Sequence, residues 1–256
     1  MTKLNGKKVF CIITGASQGI GRTIAIEFSK LFHSNSEIKL TARSKNGLQS
    51  TSNSIRSINK DIATECIEYD LSNPNFETFK DLVKPKKNVA FDIYVLVHNA
   101  GSEGDSKLTK DMSNLQEWQS YMTLNFFSMS LLTSAFLEVN PSGHRLIINI
   151  TSLAAVQPFK SLGYYCVGKA AREMYLRTLA EENKDLDILN YSPGPVATDM
   201  VDRLITKVKD GGVKESFVSM RDNQALVKSE NTVAKLIAIL EQNKYTSGGR
   251  VDYFDN

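Results

Sequence analysis

Apolar positions along this chain follow two alternating rhythms. Short, largely apolar runs occupy Lys8 to Thr14, Glu37 to Ala42, Thr64 to Tyr69, Asp92 to His98, Leu146 to Thr151 and Asp187 to Tyr191. Their length and their Val/Ile content read as buried strands. Between them the spacing becomes helical. Ile24, Phe28, Leu31 and Phe32 mark a helix over Arg22 to Phe32. Further helices are predicted at Asn46 to Asn59, Phe76 to Val83 and Asn231 to Gln242, and from the Tyr165 segment to about Asn183. A long amphipathic one runs from Glu117 to Val139, carrying Trp118, Leu124, Phe127, Leu131, Phe136 and Leu137. Val201 to Leu226 is rich in charge, holds Gly211-Gly212 and reads as a looser segment of the kind that forms lids. Ser247 to Asn256 reads as a closing strand and tail. Strands and helices alternate from end to end, without repeats or linkers. That predicts one α/β domain over 1–256: a doubly wound parallel sheet (Rossmann fold) with helices on both faces.

In such sheets ligands bind outside the carboxyl ends of the strands. The residues that follow each strand are therefore the first candidates for chemistry. After the first strand comes Gly15-Ala-Ser-Gln-Gly19-Ile-Gly21 and then a helix. Glycines there let the backbone approach a pyrophosphate, and the helix N-terminus offers it free N–H groups. A tight strand–helix turn without a ligand is the plainer alternative. The second strand ends in Arg43-Ser44, where a fold that selects NAD places an acid for the ribose 2′-hydroxyl. The planar guanidinium of Arg43 suits a 2′-phosphate instead, so NADP is expected. The third strand ends in Asp70-Leu71; Asp70 is placed either to meet an adenine amino group or to cap the next helix. The fourth ends in Asn99-Ala-Gly101 and the sixth in Pro193-Gly-Pro195, followed by Thr198-Asp-Met200.

Ser152 stands just past the fifth strand. Tyr165 and Lys169 are four apart and share a helix face if that segment is helical. A hydroxyl, a phenol and an ammonium converging at strand ends suit carbonyl–alcohol chemistry. The ammonium would lower the phenol's pKa, the phenol would pass a proton to a carbonyl oxygen, and the serine would hold that oxygen. Tyr164 is the wrong member of its pair, since Tyr165 alone has Lys four residues on. Asn125 reads either as a polar residue of the long helix or as a carboxamide holding a water beside Lys169. His98 reads as a strand residue, and no metal pair is expected.

Composition narrows the picture. The chain has 256 residues, 41% of them hydrophobic and 23% charged, which fits an ordinary globular protein. A net charge of +3 is too mild to argue for nucleic acid. The one basic cluster, Lys84-Pro-Lys-Lys87, reads as a solvated helix end. Cys11, Cys66 and Cys166 are scattered and odd in number, which suggests a reducing intracellular compartment. No apolar run approaches the ~18 residues of a membrane span, and Val9 to Ile13 is too short for a signal peptide.

Taken together, Thr14 to Gly21, Asn99-Ala-Gly101, Asn125, Ser152, Tyr165-x-x-x-Lys169 and Pro193-Gly194 resemble the short-chain dehydrogenase/reductase family over the whole chain. Asn99 to Asp105, Gln157 to Lys160, Tyr165 to Arg172, Leu189 to Pro195 and Ser247 to Asp255 resemble its pterin-reducing branch. The resemblance implies Asn125, Ser152, Tyr165 and Lys169 as the catalytic group. It implies an NADPH cradle of Gly15, Ser17, Gln18, Gly19, Ile20 and Gly21, with Arg43, Ser44, Asp70 and Leu71. Asn99, Ala100, Gly101, Tyr165, Lys169, Pro193, Gly194, Val196, Thr198 and Met200 complete that cradle. Ser152, Tyr165, Gly194 and Asp252 are implied for the substrate, Asp252 anchoring a pterin. A cytosolic homodimer is implied as well. Gln18 departs from the Arg that vertebrate members of that branch usually carry near the 2′-phosphate. Two other functions compete: a broad reductase of diketones such as benzil, and an NADP-sensing module without catalysis.

Overall fold

The computed structural model describes residues 3–86 and 89–255. Among them seven strands form one sheet in the order β3-β2-β1-β4-β5-β6-β7, and every pairing is parallel. The strands are β1 Val9–Thr14, β2 Glu37–Ala42, β3 Ala63–Glu68, β4 Ile93–His98, β5 His144–Ile150, β6 Leu186–Ser192 and β7 Arg250–Asp252. A parallel sheet is covered on both faces, which is why its strands are near-continuously apolar. On β1, Val9, Cys11 and Ile13 enter one core while Phe10 and Ile12 enter the other. The first core takes in α1 (Gly19–Leu31), α2 (Lys45–Ile58) and α9 (Ser229–Gln242) through Phe28, Ile55 and Leu236. The second takes in α3 (Phe76–Val83), α5 (Ser128–Val139) and α6 (Gly163–Glu182) through Phe79, Phe136 and Leu176.

Three expectations need correction. Val201 to Leu226 is not loose: it holds α7 (Asp199–Lys207) and α8 (Gly211–Asp222). Val201, Leu204 and Ile205 of α7 are buried. The glycine pair that suggested a flexible loop is the first turn of α8, and Asp210 caps it by accepting the Val213 N–H at 3.0 Å. The long helix is interrupted. α4 (Leu115–Met122) and α5 are joined by a π turn, Thr123–Phe127. This whole stretch has 25 residues and a mean hydropathy of 1.3 over its most apolar window, enough by length and composition to cross a membrane. Here the buried apolar side chains of α5 meet α3 and the sheet, and those of α4 pack on Tyr164 of α6. Lastly, α1 begins inside the glycine run, at Gly19 rather than Arg22.

The basic cluster does follow a helix end, since α3 stops at Val83. Lys86 pairs with Glu65 at 2.9 Å. Lys87 and the final Asn256 lie outside the described residues.

The helical reading of 211–222 has a direct check. Asp210→Ala should destabilise α8 by about 0.5–2 kcal/mol through loss of its cap. Gly211→Ala should stabilise it by about 0.4–1 kcal/mol, because an added Cβ meets nothing within 4 Å. Hydrogen exchange across 211–222 should fall in protection for the first and rise for the second.

Candidate active site

All seven strands point the same way, so every candidate residue sits at one edge of the sheet. The strand order reverses between β1 and β4, the crevice where such sheets take a ligand. Thr14, at the end of β1, ties the two strands together. Its hydroxyl accepts the N–H groups of Asn99 and Ala100, each at 3.0 Å, and donates to the Val97 carbonyl at 3.1 Å. Asn99 completes the brace by donating Nδ2 to the carbonyls of Thr14 and Gly15 at 2.9 and 3.2 Å. Asn99 thus holds the crevice open with a side chain already spent on backbone. A Cβ at Gly21 would stand 2.3 Å from that Nδ2 and 2.5 Å from the Gly15 carbonyl oxygen. Only glycine fits there.

The glycine loop fits a pyrophosphate. The N-cap of α1, Gln18, makes no side-chain cap bond, and no acidic residue lies in the first turn. The first N–H groups are therefore left without a capping side chain, and the first turn carries no acidic residue of its own. Gln18 instead donates Nε2 to Asp199 at 3.0 Å, and Thr198 lies 3.4 Å from where a Cβ of Gly19 would be. The loop after β6 therefore meets the glycine loop. Gly47 was missed by sequence reading; a Cβ there would stand 2.8 Å from Ser17 Cβ. Arg43 follows β2 and is exposed. Ser44 caps α2 through the Gly47 N–H. Asp70 does not cap a helix: it accepts the Ser72 N–H at 3.0 Å, while Asn75 caps α3. That backbone bond, aided by the Arg43 charge, holds the Asp70 carboxyl below its usual range.

Ser152 and Tyr165 come together. Ser152 opens a 3₁₀ turn, Leu153–Ala155, and accepts the Ala154 N–H at 3.2 Å. Burial pushes the Tyr165 phenol up, a hydrogen bond with Ser152 pulls it back, and the Arg172 charge adds to that pull. The phenol therefore rests protonated, ready to donate. Lys169 lies beside Tyr165 on the same helix. It is buried, donates Nζ to the Ile150 carbonyl at 2.7 Å, and stands 5.6 Å from the centroid of the Tyr165 ring. Burial holds its own pKa well below the usual lysine value. Ser152 and Arg172 both act to lower the phenol's pKa against the effect of burial.

Tyr164 faces elsewhere. It is buried against Trp118 and Tyr121 and donates its hydroxyl to Glu117 at 3.0 Å. Asn125 lies in the π turn with its carboxamide committed. Oδ1 accepts the Ser102 N–H at 2.7 Å and Nδ2 donates to the Tyr121 carbonyl at 2.9 Å. That side chain braces α4 to the loop after β4. His98 is a buried strand residue, its Nε2 2.8 Å from Thr133 Oγ1.

Two charged residues here were missed. Arg172 is 1% exposed and donates to Asn149 Oδ1 at 3.0 Å and to the carbonyls of Ala100 and His98 at 2.9 and 2.7 Å. Its place three residues after Lys169, on the same helix face, was the available signal. Glu103 is buried, held bidentate by Arg203 of α7 at 2.7 and 3.2 Å, and its charge raises the Tyr165 phenol. Nothing local announces it. Asp252 ends β7, opposite Ser192 of β6. Its Oδ2 accepts from Arg250 at 3.1 Å and its Oδ1 from the Phe254 N–H at 3.3 Å. It is no solvated tail charge.

The short chain dehydrogenase family profile matches residues 9–209. The chain belongs to the short-chain dehydrogenase family. Sepiapterin reductase of Xenopus tropicalis is 34% identical over 252 residues, covering 96% of this chain and 97% of the relative. A benzil reductase of Bacillus subtilis that forms (S)-benzoin is 29% identical over 94% of this chain and 96% of its own. A short-chain dehydrogenase of Shigella flexneri 2a, solved with NADP, superposes with a TM-score of 0.78 at 23% identity, covering both chains fully. Membership makes the protein an oxidoreductase. Arg250 and Asp252 lie beyond the span matched by the family profile.

Two substitutions in this dehydrogenase separate its neighbouring tyrosines. Tyr165→Phe should cost ~10²-fold or more in carbonyl reduction, while Tyr164→Phe should lower Tm slightly and leave turnover within a few-fold. Ser152→Ala removes the bond that lowers the phenol's pKa. If Tyr165 is the proton donor, reduction needs the protonated phenol, and residual activity of Ser152→Ala should persist to higher pH than wild type. A pH–rate profile whose alkaline limb moves down instead would contradict that coupling.

Proposed function

We propose that this chain reduces the side-chain carbonyl of a pterin with NADPH, as a sepiapterin reductase does. The observation that carries the reading is the Asp252 carboxylate, held at the same strand edge as Ser152 by a shared arginine. The length-spanning similarity to sepiapterin reductases supports it. A flat pterin presents an amino group and a ring N–H side by side, and one carboxylate can accept both. A diketone such as benzil gives that carboxylate nothing to bind.

The glycine loop, with Ser17, Gln18 and Ile20, would hold the pyrophosphate. Arg43 and Ser44 would take the 2′-phosphate, with Asp70 and Leu71 beside the adenine. Ala100, Gly101, Pro193, Gly194, Val196, Thr198 and Met200 would line the rest of the nucleotide. Bound NADPH supplies the hydride. Tyr165 donates its proton to the carbonyl oxygen and Ser152 hydrogen-bonds that oxygen. Lys169 lies beside the Tyr165 ring and favours its phenolate once the proton has left. Asn125 acts by holding the Ser102 loop. Benzil-type reduction is the second reading, favoured by the similarity to the Bacillus enzyme. Free cysteines fit a cytoplasmic protein, and exposed Phe127 and Met174 on neighbouring helices fit a homodimer.

Asp252→Asn decides between the substrates. It turns one acceptor into a donor facing a donor, and a charge-assisted hydrogen bond is worth about 1.5–3 kcal/mol. Sepiapterin kcat/KM should fall about 10²-fold, while benzil reduction stays within a few-fold. Equal losses would mean damaged folding or chemistry, and no loss on sepiapterin would remove the pterin reading. For the cofactor, Arg43→Asp should weaken or reverse the preference for NADPH. Equal kcat/KM with NADH and NADPH in the unaltered enzyme would rule that preference out.

A further inference from the structure

One guanidinium on the last strand serves three acceptors. Arg250 Nη1 donates to the Ser152 carbonyl at 2.9 Å and to Glu173 Oε1 at 2.5 Å, while Nη2 donates to Asp252 Oδ2 at 3.1 Å. Glu173 is buried and also accepts from Thr151 Oγ1 at 2.6 Å. The side chains of Arg250 and Asp252 are each 19% exposed. Two carboxylates thus flank one cation in a half-dry site. The backbone supports this corner weakly, because β7 is an edge strand with three register pairs to β6. The side-chain bridge ties β7 to the loop after β5 and to α6.

Charge bookkeeping favours a role beyond packing. Without Arg250, Glu173 and Asp252 would face each other as like charges, and Asp252 would be free to turn. With it, Asp252 has a fixed orientation and spare capacity. An ionised carboxylate has about four acceptor directions. Arg250 takes one on Oδ2 and the Phe254 N–H takes one on Oδ1. One acceptor direction is left on each oxygen, the number that two adjacent N–H donors require.

We infer that Arg250 is the positioning residue for the substrate anchor. It fixes the rotamer of Asp252 and joins it to Ser152, so that the ring end and the carbonyl end of a pterin are held by one unit. This rests on the pterin reading above. Lysine at this position keeps the charge but lacks the planar fork that spans three acceptors.

The test uses the full chain with NADP⁺ bound, so that no turnover occurs, and measures the sepiapterin Kd by calorimetry. Steady-state reduction of sepiapterin and of benzil with NADPH accompanies it. Arg250→Lys should weaken sepiapterin binding about 10-fold, the size expected for one lost charge-assisted bond. KM should rise with it, while kcat and benzil kcat/KM stay within about 3-fold. Arg250→Met should exceed that loss with the same split, and Arg250→Lys decides alone if the Met variant does not fold. In an Asp252→Asn background, Arg250→Lys should change sepiapterin binding less than about 2-fold, because coupled residues are not additive. Equal losses on both substrates, or equal losses in both backgrounds, would overturn the inference and leave Arg250 a support for the fold. If Asp252→Asn weakens sepiapterin binding and Arg250→Lys does not, the inference alone falls. If Asp252→Asn leaves that binding unchanged, the pterin reading falls and the inference with it.

Discussion

A buried guanidinium must be given acceptors or its desolvation destabilises the fold. Arg172 meets that demand at the one place where a parallel sheet has carbonyls to spare, just past its strand ends. It takes the carbonyls of His98 and Ala100 and the side chain of Asn149, and burial holds its own pKa down at about 10. Those bonds fix the rotation of α6 against β4 and β5. Tyr165 and Lys169 lie on the same helix, so their positions follow. Lys169 meets the same demand through the Ile150 carbonyl. Two basic side chains of α6 are thus held by strand-end backbone, and the helix cannot turn without stranding both.

The same logic runs through the neighbouring polar groups. Thr14, Asn99 and Asn125 spend their side chains on backbone N–H and carbonyl groups at strand and helix ends. Each removes an unsatisfied buried group that would cost about 1–3 kcal/mol. The result is a crevice whose walls are rigid before any ligand arrives. Pre-set geometry of this kind lowers the ordering cost of binding.

Much of this was legible in the sequence, for physical reasons that differ by element. The strands were legible because a sheet covered on both faces needs continuous apolar runs. Gly15, Gly19 and Gly21 stood out because strand, turn and helix signals surround them. Tyr165 separated from Tyr164 by its spacing to Lys169, and Tyr164 packs on Trp118 instead. The helices of 199–222 were hidden by charge and by glycines that stand at a helix start. The π turn left no periodic trace. Arg172 offered only its spacing from Lys169, because its partners include backbone carbonyls, and Glu103 offered nothing local, because its partner lies 100 positions away. Arg250 was hidden for the same reason: its partners Ser152 and Glu173 are 98 and 77 positions distant.

The short terminal strand has a practical side. β7 ends at Asp252, and Tyr253 then donates its N–H to the Ser192 carbonyl while Phe254 and Tyr253 come within 3.4 and 3.5 Å of a Cβ placed at Gly194. Anything fused to the carboxyl terminus would therefore leave the protein beside the site. The opposite end is different. Leu4 is buried, its N–H bonds to Glu241 on α9, and β1 starts at the amino edge of the sheet, a full strand length from the crevice. Purification handles, immobilisation linkers and fluorescent partners are better attached ahead of Leu4 than after Asp255.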